Sequence, residues 1–260
     1  MADLVFHKID DNARKISFEC VMGREVENDF PFHIHHTLCI GLITGGMRWI
    51  TFPEYEICIQ ENELFVVNPL QPHAIQRLYP HDYVVITVKG LTDCPVFHAH
   101  IQSLQCKRLF INLLNAIQLD DSKELPAAWD KLFAYLCRYQ CKITAPSETN
   151  VIMQKTMDYI SVHYQNPITV SDLAKHNCMS VYHFCRTFKS ATGMSPHNYL
   201  IQYRLSKSRK SLQAKESIFN AAVDAGFYDS SHLIRNFTKY MAISPESYRQ
   251  SILKKSKNIQ

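Results

Sequence analysis

GFYDSSHLIRNFTKYMAISPESYR, residues 226–249, repeats the plan of an earlier stretch, MSVYHFCRTFKSATGMSPHNY at 179–199. Ser180 falls opposite Asp229 or Ser230, Phe184 opposite Leu233 or Ile234, and Arg186 opposite Arg235. Phe188, Pro196 and Tyr199 fall opposite Phe237, Pro245 and Tyr248, with the register slipping by one residue at the front. A hydroxyl or carboxylate before an apolar-periodic run accepts hydrogen bonds from the free N–H groups of a first helical turn, so both stretches read as capped helix starts. Phe184 and Phe188 lie four apart, as do Leu233 and Phe237. Each pair covers one helical face, and Arg186 and Arg235 project from another. Phe188, Phe237, Tyr199 and Tyr248 sit at helical spacing beside aliphatic residues and read as packing.

A helix precedes each stretch. ITVSDLAKHNCMS (168–180) carries Leu173 and Ala174 as apolar positions, with Asp172 near the positive end of the helix dipole. ESIFNAAVDAGF (216–227) carries Ile218, Ala221, Ala222, Val223 and Ala225, and Gly226 supplies the residue most tolerant of a positive φ at a tight turn. Helix, short turn and helix are thus written twice. In a helix-turn-helix the second helix enters the major groove of DNA with its N-terminal residues at the base edges.

Residues from about 150 to 250 resemble the DNA-binding domain of the AraC/XylS family of bacterial transcription regulators. In that family a long helix joins two helix-turn-helix units, and LIQYRLSKSRKSLQ, Leu200 to Gln213, occupies that place. Arg204 stands at the arginine of the family's R-x-x-x-A-x-x-L-L region, where Ser208 and Ser211 replace small or apolar residues. The resemblance implies base reading by Tyr182, Cys185 and Arg186 in the first unit and by Ser230, Ser231 and Arg235 in the second. Arginine suits this because it donates two hydrogen bonds to guanine O6 and N7. Lys189 and Lys239, further along each helix, look like phosphate contacts, which position without reading sequence. The implied partners are double-stranded promoter DNA and RNA polymerase.

Charge divides the chain in the same place. Residues 147–260 hold 15 Lys or Arg against 7 Asp or Glu, and the first 146 hold 13 against 17, so a whole-chain +4 conceals a basic half and an acidic half. A basic module suits nucleic acid, with affinity that falls as salt rises. At 260 residues and 46% apolar the chain accommodates two domains with a core each. No run approaches the ~18 apolar residues of a membrane span, and the first residues lack the apolar core of a signal peptide, so a cytoplasmic location is expected. Nine scattered cysteines without a CxxC argue for reduced thiols. Cys137 and Cys141, four apart on a predicted helix, read as two buried thiols.

The first hundred residues read as strands. CIGLITG, MRWITFP, YEICIQ, ELFVVNP, AIQRLY and YVVITVKG are β-branched or aromatic runs at roughly 8–12-residue spacing, the pattern of an antiparallel barrel or sandwich. They are similar to the cupin barrel that precedes the DNA-binding half in many AraC-family regulators, with FHIHH at 32–36 and PHAI at 72–75 as its marks. The fold class expected is two-domain α+β. It pairs an N-terminal cupin-like β-barrel bearing accessory helices with a C-terminal all-α domain of two helix-turn-helix units. Domain boundaries are expected at 1–141 and 151–252, joined by a linker, KITAPSETN, at 142–150.

In metal-binding cupins an HxH pair, a following glutamate and a distant histidine converge. Here the positions after His35 are His36, Thr37, Leu38, Cys39 and Ile40, without a carboxylate. Neither a metal nor another cofactor is therefore expected. His33, His35 and His73 read as lining a pocket for a small-molecule effector, with plain packing as the alternative. Helices around 103–119 and 127–141 carry broad apolar faces, which serve a homodimer interface by resemblance or simply cover the barrel. The function implied is a sequence-specific transcription regulator switched by an effector and without enzymatic activity. A metal-dependent cupin enzyme fused to a DNA-binding module, or a regulator without an effector, are the alternatives.

Overall fold

A computed structural model describes residues 3–27, 29–76, 79–92, 94–141, 148–241 and 243–255. The chain divides into two compact units, residues 1–29 with 34–144 and residues 30–33 with 145–260. The short strand β3 (Phe30–His33) therefore groups with the second unit.

In the first unit β1 (Asp3–Asp11), β2 (Ile16–Val26), β4 (Leu38–Gly45), β7 (Leu64–Val67), β9 (His81–Lys89) and β10 (His100–Ile101) form one antiparallel sheet. Its order is β1-β2-β9-β4-β7-β10. β8 (His73–Gln76), β5 (Met47–Thr51) and β6 (Glu56–Gln60) pair antiparallel in a second sheet. The β1–β2 hairpin is absent from the sequence reading, because Lys8, Asp10 and Glu19 interrupt its apolar pattern. Glu19 is matched in the structure by Lys89 at 3.0 Å.

Alternation along the strands sends Phe18, Cys20, Leu38, Ile40, Leu42, Leu64, Val66, Val84 and Ile86 to one face of the large sheet. That face is covered by α1 (Leu104–Gln118) through Phe110, Leu113 and Ile117, and by α2 (Glu124–Leu136) through Leu125, Trp129, Leu132 and Leu136. Each large side chain so buried contributes about 1.5–3 kcal/mol. Ser103 caps α1, accepting from the Cys106 N–H at 3.2 Å. α2 begins three residues earlier than the expected 127, because Pro126 lies in the first turn, where its missing N–H is not required. It ends at Leu136 in a 3-10 turn, Cys137–Tyr139, so Cys137 and Cys141 do not share the helix, and both are half-buried free thiols. The opposite face of the large sheet presents Cys39, Gly41, Phe65, Val67 and Tyr83.

The second unit is helical: α3 (Glu148–His163), α4 (Val170–His176), α5 (Val181–Thr192), α6 (Pro196–Gln213), α7 (Ile218–Asp224), α8 (Ser230–Met241) and α9 (Pro245–Lys255). Of the expected linker, 142–147 lies outside the described residues, and 148–150 already belong to α3. From α4 onward each helix start has a side-chain cap, in order Thr169, Ser180, Ser195, Ser217, Asp229 and Ser244. Such caps stabilise by about 1 kcal/mol each. The connecting helix α6 is pinned by Arg204, which donates from Nε to the Tyr164 carbonyl and from a terminal nitrogen to the Asn166 carbonyl, both at 2.8 Å. Burial pushes the Arg204 pKa down. Ser208 is fully buried and donates to the Leu205 carbonyl at 2.9 Å, so a serine serves in place of the family's alanine without an unpaired hydroxyl.

Candidate nucleic-acid interface and ligand-binding interior

The two helix-turn-helix units align residue by residue in sequence once one insertion is recognised. Thr169, Ala174 and Cys178 match Ser217, Ala222 and Gly226, forty-eight residues on, whereas Ser180, Phe184 and Arg186 match Asp229, Leu233 and Arg235, forty-nine on. The slip expected at the front therefore lies in the turn, and the extra residue is Tyr228, 93% exposed. In both turns a left-handed residue closes the first helix, Cys178 at φ 56° and Gly226 at φ 79°. The next residue, Met179 or Phe227, donates back to Ala174 or Ala222 at 3.0 and 2.9 Å. Gly226 is demanded by packing as well as by φ, since a Cβ there would lie 2.6 Å from the Tyr164 carbonyl oxygen.

The recognition helices are held from beneath by equivalent aromatics. Phe184, Phe188 and Tyr199 are buried in the first unit and Leu233, Phe237 and Tyr248 in the second, with Phe188–Tyr199 and Phe237–Tyr248 ring centroids 5.8 and 5.5 Å apart. Tyr182, Arg186 and Lys189 share the opposite, exposed face of α5, and Ser231 and Arg235 that of α8. Neither arginine is tied up in an ion pair among the described residues. Cys185 and Ser230 are half-buried and flank those faces. Lys189 matches Thr238 and Lys239 matches Ser190, so the two lysines are not equivalent. Lys239 lies over the Tyr240 ring, 5.4 Å from its centroid. Ile234, 40% exposed beside Arg235, and Tyr228 are further exposed residues of this surface that the sequence reading passes over.

In the first unit His35 and His73 meet edge to face with centroids 5.0 Å apart. The His35 Nδ1 lies 3.0 Å from the Thr37 carbonyl and its Nε2 3.5 Å from the Cys39 Sγ. His73 is buried, with Nδ1 3.0 Å from the Gln71 carbonyl. His33 falls among the residues grouped with the second unit, and its Nδ1 lies 2.9 Å from the Pro31 carbonyl. In each case donation from Nδ1–H to a carbonyl two residues away fixes the ring orientation. The inward face of β5 adds Arg48, only 3% exposed, with its guanidinium carbon 4.4 Å from the Tyr83 ring centroid and 5.5 Å from that of Phe65. His81 is buried nearby, and burial together with the positive charge of Arg48 pushes its pKa down to about 4. A cleft of about 200 Å³ elsewhere in this unit is lined by His36, Leu38, Asn68, Val88 and Cys94 among others.

Residues 15–90 match the AraC-like ligand-binding domain, and residues 173–251 match a helix-turn-helix domain. The chain belongs to the AraC family of transcription regulators. Among AraC-family relatives, the transcriptional activator RhaS of Pectobacterium carotovorum is 28% identical over 253 residues, 88% of this chain and 91% of that one. The HTH-type transcriptional regulator YbfI of Bacillus subtilis is 23% identical, over 84% of this chain and 86% of that one. The fold is similar to that of ToxT from Vibrio cholerae in an apo form, with a TM-score of 0.63 at 12% identity, covering 94% of this chain and 99% of that chain. AraC-family regulators join a DNA-binding helix-turn-helix domain to a ligand-binding domain, and these are the two parts described above. No helix among the described residues is long and apolar enough to cross a membrane.

Proposed function

We propose that this chain recognises specific promoter sequences through α5 and α8, and that a small molecule held in the β unit adjusts that recognition. The observation that carries the reading is the matched, exposed pair Arg186 and Arg235, set on two helices with equivalent caps and equivalent buried aromatics. Each arginine reads a guanine. Tyr182 and Ser231 occupy the matching position one turn earlier, Cys185 and Ser230 flank the contact, and Lys189 and Lys239 meet phosphates. Ile234 offers an apolar end suited to a thymine methyl.

The net charge of residues 147–260 supports this division of labour, with DNA attracted to the basic part. ToxT, a similar fold, has a crystal form with an unsaturated fatty acid bound, and the match of residues 15–90 to a ligand-binding domain supports an effector here. Such an effector shifts the regulator only by its differential affinity for two states. The domain division proposed is an effector-binding domain at about 1–141 and a DNA-binding domain that begins with α3 at Glu148, three residues before the expected 151, and runs to about 252. The protein acts in the cytoplasm beside RNA polymerase, as a homodimer joined through α1 and α2, and has no enzymatic activity.

The test is recovery of bound fragments from sheared genomic DNA at about 0.15 M salt, where specific sites outcompete the salt-weakened background. Enrichment of a few promoter fragments, lost in a protein carrying both Arg186→Ala and Arg235→Ala, supports the reading. Uniform recovery overturns it.

A further inference from the structure

Arg48 lacks the partner that its burial calls for. An arginine stays protonated in any protein, and a buried charge is normally matched by a carboxylate or a set of acceptors. Here the residue is 3% exposed, and its Nε is buried with no hydrogen-bond partner. The acid groups acting on it are the Tyr83 phenol and the Cys39 thiol, with no carboxylate among them. Carboxylates of the same unit are engaged elsewhere. Glu19 takes Lys89 at 3.0 Å, Glu63 takes His100 and Gln102 at 2.8 and 2.6 Å, and Asp82 accepts from the Glu25 N–H at 2.7 Å. The Tyr83 and Phe65 rings give the cation some stabilisation, but a ring face accepts none of the directed hydrogen bonds of a guanidinium.

We propose that the interior of the β unit binds a small organic carboxylate, whose charge is taken by Arg48 between the rings of Phe65 and Tyr83. This rests on the effector reading above and names its ligand class. Among the described residues Arg48 is the fixed positive charge acting on Tyr83, and His81 beside it is neutral near pH 7. A monoanion therefore neutralises the site, whereas a phosphate dianion leaves an uncompensated buried charge. A carboxylate also fits the planar fork of the guanidinium in a two-point pair. The flanking rings favour an aromatic or aliphatic body. The Phe65 ring occupies space that Gly41 leaves empty, and a side chain at 41 would collide with it. Seating a ligand next to Arg48 requires that ring to turn aside. The His81 Nε2 is buried without a partner and, with Nδ1–H facing the Tyr79 carbonyl at 3.3 Å, is an acceptor, so it suits a hydroxyl or N–H on the body of the ligand and not the carboxylate.

The experiment uses the full chain without DNA, so that its result is independent of whether the DNA reading holds. Butyrate, octanoate, benzoate and phenylacetate are compared with their primary amides and with inorganic phosphate, at constant ionic strength, by thermal shift and calorimetry. The expected result is saturable binding of at least one carboxylate, no binding of its amide, and a loss of about ten- to a hundredfold in affinity for Arg48→Met. Ligand-free Arg48→Met should melt no lower than the wild type, because removing a buried unpaired charge relieves a desolvation cost. If that variant does not fold, Arg48 is a structural clamp and the proposal falls. It falls equally if no carboxylate binds, if amides or phosphate bind as well, or if Arg48→Met keeps the affinity.

Discussion

The two helix-turn-helix units share one skeleton and solve its details differently. The first closes its turn with Cys178 in a left-handed conformation that costs a side-chain residue about 1 kcal/mol, whereas the second uses Gly226, adds Tyr228 and caps with a carboxylate in place of a hydroxyl. The first presents Tyr182 where the second presents Ser231. The comparison separates what holds a recognition helix, which is alike in both, from what that helix offers to DNA, which is not.

The largest effects should be shared. Phe188→Ala and Phe237→Ala each remove a fully buried ring and should cost about 3–5 kcal/mol, measured by urea unfolding. A marked inequality would mean that the two halves are not equivalent in packing.

The turns should then part company. Gly226→Ala brings a Cβ against the Tyr164 carbonyl at a positive φ and should cost about 2–4 kcal/mol. Cys178→Gly should change stability by less than about 1 kcal/mol, since it relieves strain while adding chain entropy to the unfolded state.

At the surface, Arg186→Ala and Arg235→Ala should each weaken cognate binding by about 1–3 kcal/mol and relax a different base position, read by selection from a randomised operator. Equal weakening on random DNA would reassign either residue to phosphate.

The finest contrast concerns two hydroxyls. Tyr248 accepts from Gln213 Nε2 at 2.8 Å, so Tyr248→Phe should lose about 1 kcal/mol by stranding that amide. The Tyr199 hydroxyl is buried without a partner, and burial pushes its pKa up, so Tyr199→Phe should be neutral or stabilising. A loss at Tyr199 equal to that at Tyr248 would break the distinction.

The helical unit was legible in the chain because its signals are local. Caps, apolar spacing and the Ser-Pro starts of α6 and α9 each lie within one or two turns of the residues they organise, and the repeat made Arg186 and Arg235 stand out together. The slip at Tyr228 was visible as well, though its place in the turn was not, because a repeat alone does not say which of two neighbouring residues is the inserted one. The large sheet was partly legible through alternation. The β1–β2 hairpin escaped because Glu19 breaks the pattern, and only its cross-strand partner Lys89, seventy residues away in sequence, accounts for it.

By itself, then, the sequence determined the helix caps, the buried faces of α5 and α8, the two-part division of charge and the family to which the chain belongs. Tertiary structure decided what meets in the β unit. Arg48, Phe65, Tyr83 and Cys39 come from four strands, and their convergence depends on strand register and on which sheet face turns inward. Those are long-range pairings, set by loop closure and burial of the whole sheet, and no local window of residues encodes them. The histidines show the same limit. FHIHH announced three imidazoles near one another in the chain, but only the packed strand placed His35 edge to face with the distant His73.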